Sequence, residues 1–210
     1  MKAAQLVQYG GREAVAINEV PKPEVTPGKI LVEVRTAGVN PFDWKIRKGL
    51  FKDMIPFTLP VTLGGDFSGV VSEVGAGISG FKVGDEVYGQ ASVLNGGSGS
   101  FAEFDVVDVN ATALRPKNLS FTEAGALPLA GVSALQAIVD HINLSGGQKI
   151  LIHGGAGGIG SIVIQIAKYL GAYVAATVSS NDMNYVKELG VDEVIDYKGQ
   201  KFEDVVKNYD

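Results

Sequence analysis

The sequence predicts an α/β protein with a β-rich first part. Before about residue 115, short runs rich in β-branched residues alternate with Pro or Gly, which is typical of strands. After about residue 122, apolar residues recur at helical spacing. From Lys149 onward, strand-like and helix-like segments alternate, which predicts parallel strands joined by helices. The strand-like runs of the first part are residues 2–8, 14–20, 30–36, 68–74 and the segment that ends at Tyr88.

The change of pattern divides the chain into two predicted domains. Residues 1–121 are expected to form a β domain, and residues 122–210 an α/β domain. A helical pattern over residues 122–141, interrupted by Pro128 and Gly131, opens the second domain. The predicted elements that follow are a strand at 150–152, a helix at 161–170, a strand at 173–178, a helix near 181–189, a strand at 194–196 and a helix from about 202.

Composition excludes several classes of protein. The chain has 210 residues, of which 46% are hydrophobic and 20% charged, as expected of a globular protein. Its net charge of −5, without a basic run, argues against nucleic acid as a partner. It has no cysteine, which rules out disulfides and thiolate metal ligands. Without the features of a signal peptide or of a membrane span, we expect a cytoplasmic location and no membrane partner.

A glycine cluster follows the first strand of the α/β part. Gly155, Gly157 and Gly160 have the spacing G-x-G-x-x-G, and a helix-like run follows. Glycines allow a tight turn and let backbone N–H groups approach a pyrophosphate, and the helix N-terminus adds partial positive charge. Because the motif lies between a strand and a helix, it predicts a dinucleotide site rather than an unliganded turn. The predicted cofactor-binding residues here are Gly155, Ala156, Gly157, Gly158, Ile159 and Gly160.

The end of the second strand indicates which dinucleotide is bound. NAD enzymes place Asp or Glu there to accept a hydrogen bond from the ribose 2′-OH. This strand ends in Thr177–Ser180, whose hydroxyls can donate to a 2′-phosphate without repelling it, and this favours NADP. Asn181 and Asp182 follow, with no cation nearby, and Asp182 either repels the phosphate or points to solvent. NAD therefore stays the alternative.

The two histidines do not predict a metal site. His141 lies at a predicted helix end and His153 at a predicted strand end, and no cysteine accompanies them. Structural roles are therefore favoured for both, and no metal ligand is predicted.

Five segments carry a resemblance to a known superfamily. They are Asn40–Gly49, Leu63–Gly69, Val83–Gly89, Leu127–Ala134 and Ile152–Gly157. In this order, over the whole chain, they resemble the medium-chain dehydrogenase/reductase superfamily and within it the zinc-independent quinone oxidoreductase and enone reductase branch. The resemblance implies an N-terminal GroES-like β domain followed by a Rossmann domain. Members are longer and the sequence contains only three strands of the dinucleotide fold, so we expect only the first half of the Rossmann domain here.

The resemblance also implies that zinc is absent. Zinc-dependent members carry a cysteine near the position of Asn40 and Gly-His-Glu where this chain has Gly64-Gly65-Asp66. Their structural zinc loop falls near residues 91–100, which contain no cysteine. Without a Lewis acid an alcohol is hard to activate for hydride loss. Reduction of a conjugated carbonyl needs only a donor or a proton for the developing enolate.

Site residues follow from the resemblance as well. Asn40 and Ser133 are expected near the nicotinamide. Lys45 stands where many quinone oxidoreductases have a tyrosine, and some plastid-type enone reductases share the lysine. Lys45 is therefore the predicted catalytic residue, a hydrogen-bond donor to the substrate oxygen or the cofactor, and its alternative is a surface lysine on a short helix. The residues expected at the adenosine phosphate are Thr177, Ser179, Ser180 and Tyr197.

Together these features predict an NADPH-dependent reductase of quinones or α,β-unsaturated carbonyls that transfers hydride without zinc. Its expected partners are a small-molecule quinone or enone and, as in much of the family, a second copy in a homodimer. Two alternatives stay open. One is a non-catalytic NADPH-binding relative that acts as a sensor or structural protein. The other is an NAD-dependent alcohol dehydrogenase, against which the missing zinc ligands argue.

Overall fold

The computed structural model describes residues 1–91, 93 and 98–207. It confirms the predicted fold class, a β-rich part followed by a parallel α/β part. The chain forms two compact units, residues 1–129 and 130–210. This division falls inside a helix, whereas the domain boundary predicted from the sequence lies at residue 121. Residues 91–100, where a structural zinc loop would fall, lie partly outside the described residues.

Antiparallel strands dominate the first unit. One sheet has the order β7-β3-β5-β6-β8 and a smaller one the order β2-β1-β4. The strands are β1 Lys2–Leu6, β2 Val15–Glu19, β3 Lys29–Gly38, β4 Val61–Thr62, β5 Asp66–Val74, β6 Glu86–Gln90, β7 Phe104–Asp108 and β8 Thr112–Leu114. The helices are α1 Pro41–Arg47 and α2 Phe121–Gly125, and α3 Pro128–Leu135 runs across the division between the units.

One face of the central strands of the larger sheet contributes a hydrophobic core. Ile30 and Val32 of β3 and Phe67 and Val71 of β5 are almost fully inaccessible to solvent and pack together. Alternate residues share a face of a strand, so this spacing fixes the register of β3 against β5. The register shifts between Val34 and Thr36, which bends the end of β3 that leads into α1.

The second unit contains a three-stranded parallel sheet with β10 in the middle. Its order is β11-β10-β9. Val163, Ile164 and Ala167 on one face of α4 pack into the core that this sheet forms, as the amphipathic pattern predicts. The elements are β9 Lys149–His153, α4 Gly158–Tyr169, β10 Tyr173–Val178, α5 Met183–Glu188, β11 Glu193–Asp196 and α6 Phe202–Val205. A π-helical segment, Gln136–His141, follows α3.

In the part of the chain that the structure describes, none of the helices has the length and apolar character that crossing a membrane requires.

Candidate active site

The glycine loop between β9 and α4 is held by the neighbouring strand. The backbone N–H groups of Gly154 and Gly155 both donate to the carbonyl oxygen of Thr177, at 3.1 and 3.0 Å. The Gly154 N–H also lies 3.2 Å from the Thr177 hydroxyl oxygen, which is itself 3.2 Å from His153 Nδ1. Buried Thr177 therefore fixes the start of the loop rather than presenting its side chain to solvent.

Two of the motif glycines are needed because other atoms approach them closely. A Cβ atom at Gly155 would lie 2.8 Å from the Cβ of Ala176 in β10. At Gly160 it would lie 2.3 Å from the Gly154 carbonyl oxygen. The motif spacing thus reflects packing of the loop on the sheet and on itself, which larger residues would disrupt.

The N-terminus of α4 supplies donors for an anion. Gly157 caps the helix, and the first helical hydrogen bond runs from the Ser161 N–H to the Gly157 carbonyl, at 2.9 Å. The N–H groups of Gly158, Ile159 and Gly160 belong to the first turn, whose donors lack helical acceptors. A pyrophosphate fits these donors and the helix dipole. The helix begins at Gly158, inside the motif and earlier than the predicted start at residue 161.

At the end of β10 the predicted phosphate donors already have acceptors. Ser179 Oγ donates to Asp182 Oδ2 at 2.6 Å, and Ser180 Oγ donates to Asp196 Oδ2 at 2.6 Å. Tyr197 follows β11 with 58% of its surface exposed, and its backbone N–H donates to the Val178 carbonyl. The predicted phosphate site thus lies at the carboxyl ends of β10 and β11, with Ser179, Ser180 and Tyr197. Thr177 is instead buried beneath the loop.

A cavity of about 550 Å³, lined by both polar and apolar side chains, lies within the first unit. Asn40 reaches it because α1 begins directly after this residue. Pro41 takes the first helical position, where its missing N–H costs nothing, and Asp43 accepts from the Asn40 backbone N–H at 2.6 Å. Asp66, the first residue of β5, also lines the cavity.

Asp66 fixes the side chain of Asn40. The Asn40 amide Nδ2 donates to Asp66 Oδ2 at 2.8 Å, and the Leu129 backbone N–H donates to Asp66 Oδ1 at 3.1 Å. Burial raises the pKa of Asp66, and the hydrogen bonds from Asn40 and Leu129 oppose this effect. Burial likewise raises the pKa of Asp43, to which the nearby Asp66 charge adds. The cavity therefore contains one asparagine hydrogen-bonded to two carboxyl groups. Both carboxyl groups have a higher pKa than a carboxyl group exposed to solvent.

Two further predicted site residues, Lys45 and Ser133, are on helices α1 and α3. Lys45 is on α1 but does not line this cavity, and its ammonium lies 5.8 Å from the centroid of the Trp44 ring. Ser133 is a half-buried residue of α3 in the second unit. Their roles stay predictions.

The sequence interpretation did not single out Asp43 or Asp66 as site residues. The available signal was an acid at the third helical position after a capping Asn and, at Asp66, an acid that opens an otherwise apolar strand.

A glycine loop on a parallel sheet, together with a β unit whose cavity contains an amide and two carboxyl groups, defines a class of two-domain dinucleotide-binding proteins. Comparisons with known families agree. Residues 26–117 match the alcohol dehydrogenase GroES-like domain, and residues 158–209 match the family described as zinc-binding dehydrogenase. The chain belongs to the medium-chain dehydrogenase/reductase superfamily.

Its relatives include named reductases. A 2-methylene-furan-3-one reductase of Solanum lycopersicum is 41% identical over 100% of this chain and 55% of the relative. A chloroplastic NADPH-dependent alkenal/one oxidoreductase of Arabidopsis thaliana is 40% identical over 100% of this chain and 56% of the relative. The quinone oxidoreductase structure from Coxiella burnetii is 34% identical, with a TM-score of 0.91 over 99% of this chain and 66% of that one. This chain thus spans a little over half the length of the first two relatives.

The expected cytoplasmic location is wrong. Several relatives are named as chloroplastic or mitochondrial proteins. The sequence argument failed because the absence of a secretory signal and of a membrane span does not separate the cytoplasm from the interior of an organelle.

Proposed function

We propose that the protein is an NADPH-dependent reductase of quinones or α,β-unsaturated carbonyls that transfers hydride without zinc. The observation that carries this proposal is the cavity in which Asp66 holds the amide of Asn40, a neutral hydrogen-bond donor, where a zinc enzyme needs metal ligands. The relatives named as an alkenal/one oxidoreductase and as quinone oxidoreductases support it.

The donor set of the cavity does not fit zinc. Zinc in proteins takes Cys, His or carboxylate ligands, and a catalytic site keeps three of them around the ion. The chain has no cysteine. Within the residues that the structure describes, no group of three or more His, Cys, Asp or Glu residues could hold a metal ion. Asp43 and Asp66 instead accept hydrogen bonds from Asn40.

Asn40 is suited to bind a developing oxyanion or the carboxamide of the cofactor. Its Nδ2 carries two hydrogens, and Asp66 takes one of them, which leaves the second for a carbonyl oxygen. When bound, the reduced nicotinamide supplies the hydride. As hydride reaches the β-carbon of an enone, negative charge grows on the carbonyl oxygen, and a donor that is already oriented stabilises it. Lys45 is the second proposed donor, and solvent supplies the proton to the α-carbon.

The direct test measures oxidation of NADPH by the full-length protein with a quinone, an enone or a plain ketone as the hydride acceptor, and in a separate assay reduction of NAD by a plain alcohol. We expect turnover with the quinone or the enone. Turnover confined to the plain ketone and the plain alcohol would refute the proposal in favour of an ordinary alcohol dehydrogenase. NADPH binding without turnover of any acceptor would favour the non-catalytic sensor.

Two further properties belong to the same proposal. Its relatives' names favour an organellar location, which a fluorescent fusion of the full-length protein would check. A homodimer is expected from the family, and light scattering coupled to size exclusion would measure it.

A further inference from the structure

The outward side of α1 and of the turns after it exposes large apolar side chains. Trp44, Leu50 and Met54 have 43%, 60% and 79% of their surfaces accessible to solvent. The inward side of the same segment is packed, because Ile46 is buried in a hydrophobic cluster that Phe51 also joins. The segment therefore has one apolar side that packs and a second, exposed side with three large apolar groups, a feature typical of interaction surfaces.

Backbone hydrogen bonds fix the shape of this exposed side. The Leu50 N–H donates to the Lys45 carbonyl at 3.1 Å, and the Met54 N–H donates to the Phe51 carbonyl at 3.0 Å. The exposed apolar side chains are thus presented by hydrogen-bonded turns that continue from the helix. Because these turns are already formed, little chain ordering is needed when this surface binds a partner.

Residues 44–54 are basic, although the chain as a whole has a net charge of −5. They contain a single acid, Asp53, whose side chain is exposed. The Lys45 and Lys48 ammonium groups lie 5.8 and 5.2 Å from the centroid of the Trp44 ring, so positive charge and aromatic surface are adjacent. The cations of this segment are Lys45, Arg47, Lys48 and Lys52.

The two exposed lysines of this segment are available to an external anion. Within the residues that the structure describes, neither Lys48 nor Lys52 forms an ion pair. Trp44 and Lys48 are four residues apart, which places them on the same face of the helix. An anionic partner that also accepts apolar groups would therefore match both components of this surface.

We propose that the exposed side chains of residues 44–54 form a patch that binds the surface of a membrane containing anionic lipids. Tryptophan is favoured at the level of the headgroups, apolar side chains enter the boundary of the acyl chains, and lysines contact anionic headgroups. A nucleic acid would attract the cations but leave Leu50 and Met54 in water. We expected no membrane partner because the sequence lacks a membrane span, but binding at a membrane surface does not require one.

Co-sedimentation with lipid vesicles tests the contribution of charge. The full-length protein is expected to bind vesicles of about one third phosphatidylglycerol and two thirds phosphatidylcholine, and to bind pure phosphatidylcholine about tenfold less tightly or weaker. Lys48→Gln with Lys52→Gln should weaken binding to the anionic vesicles about thirtyfold, since each lysine near such a surface contributes about fivefold. Lys117→Gln with Lys187→Gln removes two exposed lysines outside the patch. This matched control should leave binding nearly unchanged.

Two measurements test contact with the apolar part of the bilayer. Leu50→Ser with Met54→Ser should weaken binding to the anionic vesicles about tenfold, because apolar surface that the membrane covers is lost. Both side chains are exposed, so the melting temperature should stay unchanged. Trp44 is the single tryptophan of the 210 residues. Its emission should shift to shorter wavelength when vesicles are added, and Trp44→Phe, which removes the signal, identifies its source.

The proposal goes beyond the proposed function, and its tests need neither cofactor nor acceptor. It would be overturned if the full-length protein did not bind anionic vesicles, or if loss of both lysines left binding unchanged. Binding that needs the lysines but not Leu50 and Met54, without a shift in the emission of Trp44, would overturn it in favour of a polyanion such as a nucleic acid or an acidic protein. A protein that binds vesicles but reduces no acceptor would refute the proposed function alone.

Discussion

Asp105 is a buried acid without a hydrogen bond to either side-chain oxygen in the described structure. It occupies an inward position of β7, opposite Val32 of β3. Burial raises its pKa to about 7, although the Val106 backbone N–H and the charge of Lys29 act in the opposite direction. Such a buried carboxyl group is expected to lower the free energy of unfolding at every pH at which the same group is ionised in the unfolded chain.

The stability of the first unit should therefore fall as the pH rises through this range. The folded pKa of Asp105 exceeds the ordinary value of 3.8, so the unfolded state releases the proton first. The loss begins near pH 4, grows to roughly 4 kcal/mol near pH 7 and stays constant above it. Asp105→Val should raise the urea midpoint at pH 8 far more than at pH 4.

An exposed acid provides the control for this measurement. Glu24→Gln changes the net charge by the same amount but alters a solvent-exposed side chain. It should shift the urea midpoint little and equally at both pH values. An equal gain from Asp105→Val at pH 4 and pH 8 would mean that the carboxyl group is not the source of the effect.

Substitutions of Asn40, which precedes α1, and of Lys45, which lies within α1, are expected to have different effects on catalysis. Asn40→Ala removes the donor that Asp66 orients in the cavity and should lower kcat/KM for an enone by about a hundredfold. Lys45→Ala removes a side chain that lies outside this cavity and over Trp44. A drop for Lys45→Ala as large as for Asn40→Ala, measured under the same conditions, would assign the main donor role to the lysine.

At the scale of elements, the turn from β9 into α4 depends on glycine at particular positions. Gly160→Ala forces a Cβ against the Gly154 carbonyl and should lower the melting temperature and weaken NADPH binding at least tenfold. Gly158→Ala is the matched control for stability, because a Cβ there has open space and alanine favours a helix. The prediction fails if both variants melt at the same temperature.

The elements that the sequence predicted are those with a local pattern. The parallel strands and α4 have apolar periodicity and glycine boundaries, so they could be located from a few neighbouring residues. The strand β7 was not predicted, because Asp105 occupies a position where an inward-facing apolar residue is expected. This strand forms by pairing with β3, whose residues are far from β7 in the sequence. A pattern read over a few neighbouring residues carries no information about such a pairing.

For the molecule as a whole, the sheet of the second unit sets an expectation about cofactor affinity. The three described parallel strands correspond to one half of the sheet that holds a complete dinucleotide. A form extended to the length of the relatives should therefore bind NADPH more tightly than the 210-residue chain. Calorimetric titration of the two forms would measure the difference, and equal affinities would show that the first half suffices.

Parts of the candidate site could also be predicted from neighbouring residues, whereas other parts depend on contacts between distant segments. The phosphate loop could be predicted because its glycines are adjacent in the sequence. The support of Asn40 by Asp66 and of Asp66 by the Leu129 N–H joins segments that meet only after the β unit has folded. Similarly, the serines after β10 were assigned to a phosphate from their chemistry alone, and only the structure shows that carboxylates accept from them.

The hydrogen bonds that the backbone N–H groups of Gly154 and Gly155 donate to Thr177 have a consequence for the kinetics of cofactor binding. A loop tied at its start to the central strand has its shape before the nucleotide arrives, so little chain ordering accompanies association. Association rates should then be similar for NADH and NADPH. Differences in affinity between the two nucleotides would appear in how long each stays bound.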